Sequence, residues 1–394
     1  MNSTDKNHHQ EGDPLKSSTI LLMAVAAGIT VANIYYNQPI LKEMAISLNA
    51  SDAEIGRVSM FSQIGYGLGM FFLIPLGDMV NRKRLILMLL LSLTVALVLM
   101  VLSKGVLLVW VLSLIIGICS APAQIILPMA ASLDKVNRGK TVGIVFSGIL
   151  VGILGSRVIS GFITDLLGWR YVYGISAIMV LTITVLLKLY LPNVKHKFTG
   201  SYGELIKSTL QMVKQYRVLR ESAILGAFTF GLFCSFWTTV TFYLSGPAFH
   251  FHADTIGLFG IVAIGGALVA PYFGKLADKG NTRRSLLMTV GLIIFSVLLL
   301  KFFPLSVPVM ILAIFLLDIG VQATQITNFA RIYALDDNAH SRLNTIYMTT
   351  YFIGGGLGTF VGLLCWKHGG WDLSTWQMLT WSVIALIIVF FSKK

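Results

Sequence analysis

Two charged side chains, Arg157 and Asp318, stand inside long apolar stretches, and Asp318 is the one acid placed well within any of them. A charge at bilayer depth is costly and usually functional where it is kept. Burial favours the protonated form of a carboxyl, and a nearby arginine favours the ionised form. Alternation between those environments would let Asp318 load and release a proton. Arg157 offers a planar fork that grips a carboxylate or phosphate. The two charges could equally neutralise each other, and such a pair can itself act as a switch. Polar and aromatic side chains accompany them. Gln322 and Gln325 follow Asp318 at i+4 and i+7, on one helix face. Asn33, Tyr36 and Gln38 lie in the first apolar stretch, Gln124 in the fourth, Trp237 in the seventh, and Tyr347 and Tyr351 form an i, i+4 pair in the eleventh. Together they would line a polar cavity with aromatic walls. Each also has a plainer reading: glutamines bond neighbouring helices, Tyr36 suits an interfacial belt, and Trp237 suits packing.

Holding these groups requires elements that sit in lipid. Of the 394 residues, 56% are hydrophobic and 12% charged, against about 25% charged in a soluble domain. A spanning helix needs about 20 mostly apolar residues. Charges and prolines divide the chain into twelve such stretches, about 17–40, 54–77, 85–103, 106–131, 141–165, 170–191, 222–247, 255–277, 285–303, 307–332, 341–365 and 372–391. The weakest division lies between 285 and 332, where Lys301 and Pro304 mark a short break. The expected fold is an all-α polytopic membrane protein. Its parts are a tail at 1–16, a six-helix bundle at 17–191, a linker at 192–221 and a second bundle at 222–394. Apolar residues at helical spacing in 203–221 suggest an amphipathic helix along the membrane surface.

At about 1.5 Å per residue, Arg157 lies eight residues, roughly 12 Å, inside the end near Asp165. Asp318 lies eleven residues, roughly 16 Å, inside the end near Val307. Asn33 and Trp237 fall at similar depth, so the four would share one layer near the midplane. The net charge of +13 is concentrated in alternate loops. By the positive-inside rule those loops and both termini are cytoplasmic. This placement explains the charge without nucleic acid, for which no separate basic domain exists. Cys119, Cys234 and Cys365 lie apart in apolar stretches and suggest neither a metal site nor a disulfide framework. No GxxxxGK[ST] sequence occurs, which disfavours an ATP-driven pump. No paired acids or activated nucleophile point to an enzyme.

One loop occurs twice. Asp78-Met-Val-Asn81-Arg82-Lys83-Arg84 follows the second stretch, and Gly274-Lys-Leu-Ala-Asp278-Lys279-Gly-Asn281-Thr-Arg283-Arg284 follows the eighth, with the two aspartates 200 residues apart. Gly168-Trp169 and Gly370-Trp371 repeat 202 residues apart. Two parallel six-helix repeats explain both offsets. An acid followed by bases at a helix end can latch one global conformation, and plain membrane anchoring is the competing explanation. Glycines in the second, fifth, eighth and eleventh stretches would let the halves slide.

These loops resemble the G-x-x-x-D-(R/K)-x-G-(R/K)-(R/K) motif of the major facilitator superfamily. The second copy keeps Gly274, Asp278, Lys279, Arg283 and Arg284. The first keeps Asp78, Arg82, Lys83 and Arg84 but has Ile74, Met79 and Asn81 at three motif positions. Ala32-Asn-Ile-Tyr-Tyr-Asn-Gln-Pro39, Ser147 to Gly161 and Leu317-Asp-Ile-Gly-Val-Gln-Ala323 resemble its bacterial drug:proton-antiporter-like branch. That branch's fourth-helix arginine and fifth-helix proline are absent here. The resemblance implies a secondary transporter in a bacterial inner membrane. It would act as a monomer among lipids, without a cofactor, exporting a small organic molecule against a proton gradient by alternating access. Arg157 and the missing fourth-helix arginine favour an alternative, an uptake carrier or uniporter for an anionic or zwitterionic metabolite.

Overall fold

The computed structural model describes residues 15–134, 137–193, 200–263, 265, 282–336 and 339–392, apart from the side chains of Asp78 and Arg138. Every regular element among these is helical. The first half holds α1 (Ser17–Ala32), a 3-10 turn (Gln38–Ile40), α2 (Leu41–Ser47), α3 (Asp52–Met79) and α4 (Arg82–Leu102). It continues with α5 (Val106–Cys119), α6 (Pro122–Leu133), α7 (Arg138–Leu167) and α8 (Trp169–Tyr190). Then come α9 (Tyr202–Gln215), α10 (Arg217–Ser245) and α11 (Ala253–Ala263). The chain ends with α12 (Thr282–Phe302), α13 (Val307–Tyr333) and α14 (His340–Phe391). Nine helices among the described residues are long and apolar enough to cross a membrane, and α1 and α11 are shorter apolar helices. The 52-residue α14 is broken by non-helical backbone at Gly369 and Gly370, so it supplies two crossings. This set is consistent with twelve crossings. The doubtful stretch 285–332 is two helices, α12 and α13.

Several expected boundaries shift, each for a local reason. The first stretch is not one helix to residue 40. Its regular helix stops at Ala32, because the Asn33 amide donates to the carbonyls of Ile29 (2.9 Å) and Thr30 (3.4 Å). Asn37 donates to Ile34 O at 3.0 Å, and Pro39 has no N–H to give. The fourth stretch breaks at Ser120-Ala121 and restarts with Pro122 at the first turn of α6. The seventh crossing begins five residues earlier than 222, at Arg217. The linker helix is correspondingly shorter. A capping box between Ser201 and Glu204 starts α9, which buries Leu205, Thr209 and Met212. The Tyr202 hydroxyl donates to Phe72 O at 2.8 Å, tying α9 to α3.

The repeat has a structural counterpart at the helix ends. Gly168 (φ +98°) and Gly370 (φ +56°) both take left-handed backbone, the region where glycine carries no Cβ penalty. Each turn delivers a buried tryptophan, Trp169 or Trp371, to the start of the last crossing of its half. On the basic side, Lys83 Nζ donates to Leu191 O (2.6 Å) at the end of α8. Arg283 Nη2 donates to Phe390 O (2.8 Å) at the end of α14. In each half a cation thus caps the carbonyl end of the final helix, where the macrodipole favours positive charge. Arg82 Nε donates to Gly77 O at 3.1 Å. Asn81, at a motif glycine position, accepts from Arg84 N (3.1 Å) and caps α4. Arg84 and Arg284 are exposed. Gly274, Asp278 and Lys279 lie outside the described residues, as does the side chain of Asp78.

Candidate functional site

The two halves enclose a cavity of about 470 Å³, within the range of about 300–1,000 Å³ usual for small-molecule sites. Two matched helix faces build it. Along α7 they are Val142, Phe146, Ile149, Leu150, Ile153, Leu154 and Arg157. Along α13 they are Asp318, Val321, Gln322, Gln325, Ile326, Phe329 and Tyr333. Steps of three and four residues keep each set on one face. Each set runs fifteen residues, roughly 22 Å, from its charge toward the basic side of the molecule. Both charges therefore sit at the same deep end. Tyr35 (α1–α2 turn), Tyr66 (α3), Gln124 (α6), Phe230 and Phe233 (α10) and Tyr351 and Phe352 (α14) complete the walls.

Arg157 is 1% exposed and Asp318 fully buried. Arg157 Nε donates to Gln38 Oε1 at 2.7 Å. Its guanidinium carbon lies 4.2 Å from the centre of the Trp237 ring, with Tyr35 at 5.3 Å and Phe233 at 5.9 Å. Cation–π contacts of this kind are worth about 2 kcal/mol when desolvated. Nη1 and Nη2 have no hydrogen-bond partner, and neither do the two carboxyl oxygens of Asp318. No ion pair joins them among the described residues, so the expectation of simple mutual neutralisation is not met in this state. A buried charge without a partner is expensive, and the cavity contains both signs. No other charged residue lines it among the described residues.

The expected site residues divide into two groups. Gln124, Arg157, Asp318, Gln322, Gln325 and Tyr351 line the cavity. Asn33, Tyr36, Gln38, Trp237 and Tyr347 are not among the lining residues. Asn33 accepts from Ser176 Oγ at 2.7 Å, binding α1 to α8 within one half. Tyr36 points instead into an apolar groove between α1 and α7. Gln38 and Trp237 hold Arg157 from behind. The buried Tyr347 accepts from Asn328 Nδ2 at 3.5 Å and packs beside Tyr351. Equal depth in the bilayer gives no direction around a helix, and Asn33 faces away for that reason. Tyr35, Tyr66, Phe230, Phe233 and Phe352 were not singled out from sequence. Stepping by three and four from Arg157, as was done from Asp318, reaches Ile153, Leu150 and Phe146.

On the side away from the basic loops the cavity is closed. A Cβ on Gly161 would meet Ala253 O at 2.4 Å, and one on Gly257 would meet Arg157 O at 2.7 Å, so α7 and α11 touch backbone to backbone there. Thr241 Oγ1 donates to Gln38 O at 2.8 Å, and Trp366 Nε1 to Asp52 Oδ2 at 3.3 Å. Each of these contacts crosses between halves. The other glycines divide. Gly148 and Gly152 meet α1, and Gly354 and Gly358 meet α10, inside their own halves, whereas Gly67 and Gly356 face the opposite half.

A family model described as Major Facilitator Superfamily matches residues 23–359. "Uncharacterized transporter YgaY" of Escherichia coli O157:H7 is 36% identical over 369 residues, 93% of this chain and 92% of that protein. A "Probable sugar efflux transporter" of Haemophilus influenzae (strain 86-028NP) is 23% identical over 368 residues, 91% of this chain and 89% of that one. Among solved structures, a bacterial homologue of the human lysosomal transporter Spinster, in an inward-facing and unoccupied conformation, superposes with a TM-score of 0.74. It is 14% identical and covers 95% of this chain and 96% of its own. The family model spans most of the sequence, and the Escherichia coli relative matches it almost end to end. The chain therefore belongs to the major facilitator superfamily and is a membrane transporter of that type.

Proposed function

We propose that this transporter is a proton-coupled secondary carrier that exports a small organic molecule by alternating access. The basic side is cytoplasmic, both termini lie there, and the membrane is the bacterial inner membrane. Residues 17–191 and 222–394 are the two rocking bundles, joined by 192–221. The carrying observation is the buried Arg157 and Asp318, unpaired at the blind end of a cavity between the halves. An alternating-access carrier needs such a site near the midplane at the interface of its repeats. A buried carboxyl without a hydrogen-bond partner, as Asp318 is here, is satisfied most cheaply by a proton. The contact of α7 with α11 on the side away from the basic loops supports the reading of this state as open to the cytoplasm. Export is supported by the resemblance to proton antiporters and by the efflux named for the Haemophilus influenzae relative.

The test compares the growth medium of cells expressing wild type or Asp318→Asn by untargeted mass spectrometry, with and without a protonophore. At least one small molecule should accumulate outside wild-type cells, about tenfold or more above the variant. The protonophore should abolish the difference. Identical media, or a difference indifferent to the protonophore, would reject proton-coupled export.

A further inference from the structure

We infer that the transported molecule is a zwitterion, carrying an anionic carboxylate and a cationic ammonium on an apolar, aromatic-sized body. The inference rests on the cavity being the transport site, and it narrows what that site accepts.

The geometry supplies one free acceptor end and one free donor end. Gln38 occupies Nε of Arg157, and the Trp237 ring covers the guanidinium at 4.2 Å. What remains is the Nη1 and Nη2 edge, unpartnered and buried. That edge is a fork matched to two carboxylate oxygens. Across the cavity both oxygens of Asp318 are equally unpartnered, and an ammonium with its three donors is the complement they lack. Both charges line the same cavity, yet no ion pair joins them among the described residues. A second ligand group must come between them to satisfy both.

Singly charged ligands fit less well. An anion would satisfy Arg157 and leave Asp318 holding a proton that the ligand does nothing to release. A cation would satisfy Asp318 and leave Arg157 buried without a counter-charge. An uncharged ligand satisfies neither. Only a molecule with both signs pairs with Arg157 and Asp318 at once and displaces the proton from Asp318. The cavity walls also carry Tyr35, Phe230, Phe233, Tyr351 and Phe352, which suit a flat apolar body.

Binding and proton release are then one event. The ligand ammonium takes the place of the proton on Asp318, and that proton passes to cavity water. The carboxylate left behind pairs with the ammonium, so charge balances with no further reactant.

Four near-isosteric probes test the assignment on the purified full chain by thermal shift: phenylalanine, 3-phenylpropionate, 2-phenylethylamine and 2-phenylethanol. Phenylalanine should bind wild type at least about tenfold more tightly than each of the others, since each lost ligand charge removes the complement of Arg157 or of Asp318. Arg157→Gln should bring phenylalanine and phenylethylamine to similar affinity, and Asp318→Asn should do the same for phenylalanine and phenylpropionate. If a variant does not fold, the wild-type series decides alone. A singly charged or neutral probe that binds as tightly as phenylalanine overturns the inference, as does the absence of binding by all four. Zwitterion binding without protonophore-sensitive export would leave the inference standing and reject the coupling. Coupled export with a preference for the amine would do the reverse.

Discussion

At the scale of single residues, Arg157 is held in part by two neighbours outside the cavity lining, Gln38 and Trp237. Gln38 supplies the one side-chain hydrogen bond to Arg157 among the described residues, at 2.7 Å. Gln38→Ala should cost about 1–3 kcal/mol, because it leaves a buried charged donor unsatisfied. Chemical denaturation in detergent would measure this, and a loss within error would show that Trp237 alone holds the guanidinium. A second residue reports on pH. Glu43 lies on α2, outside the candidate spans, and its Oε2 is buried without a partner. Desolvation by burial raises its pKa from the ordinary 4.5. A raised carboxyl pKa means that the folded chain holds the proton more tightly than the unfolded chain. This stabilisation is fully present below pH 4.5 and is lost as pH rises through the folded value. Glu43→Gln should flatten that part of the melting profile and be more stable than wild type at pH 8. A variant profile parallel to wild type would show that Glu43 does not titrate on folding.

At the scale of helices, the contact that closes the side away from the basic loops depends on missing side chains. Gly161 on α7 lies against Ala253 O of α11, where an added Cβ would come within 2.4 Å of that backbone oxygen. Gly161→Val therefore forces the helices apart. Overpacking of this sort costs about 1–3 kcal/mol. If the cost falls only on the closed contact, the equilibrium moves about 5- to 150-fold toward opening on that side. A cysteine placed at Thr241, buried beside Gln38 in the same seam, should then react faster with a membrane-impermeant thiol reagent added outside. Unchanged labelling would show that α7 and α11 do not form the outer gate. Lys83 and Arg283 cap α8 and α14 within their own halves, so they brace each bundle as a unit, which rocking requires.

At the scale of the whole molecule, the two inferences together fix the charge moved per cycle. A neutral zwitterion leaves, and the empty site returns with a proton on Asp318. One positive charge enters for each molecule exported. In proteoliposomes, export should respond to membrane potential as well as to the pH gradient. One charge is worth about 2.3 kcal/mol per 100 mV, or roughly forty- to fiftyfold accumulation. A valinomycin-imposed potassium potential of about 100 mV should therefore drive export at equal pH, and Asp318→Asn should abolish the response. Export that ignores voltage would require a different charge balance.

Much of this was legible in the sequence because it is written in local patterns. Twelve apolar stretches, the 200-residue offset of Asp78 and Asp278, and charges at Arg157 and Asp318 that lipid tolerates only in a protein interior need no tertiary information. The face carrying Gln322 and Gln325 follows from helical spacing alone. What the sequence left open depends on rotation and contact. Depth grouped Asn33 with Arg157, but Asn33 turns toward Ser176 while Tyr35 faces the cavity. Nothing along the chain shows that Gln38 and Trp237 stand behind Arg157, or that Gly161 closes on Ala253. Nor does the sequence show that Arg157 and Asp318 share one cavity without pairing. Their 161-residue separation places them on different bundles, and only the packing of one bundle against the other sets the gap that a ligand must fill.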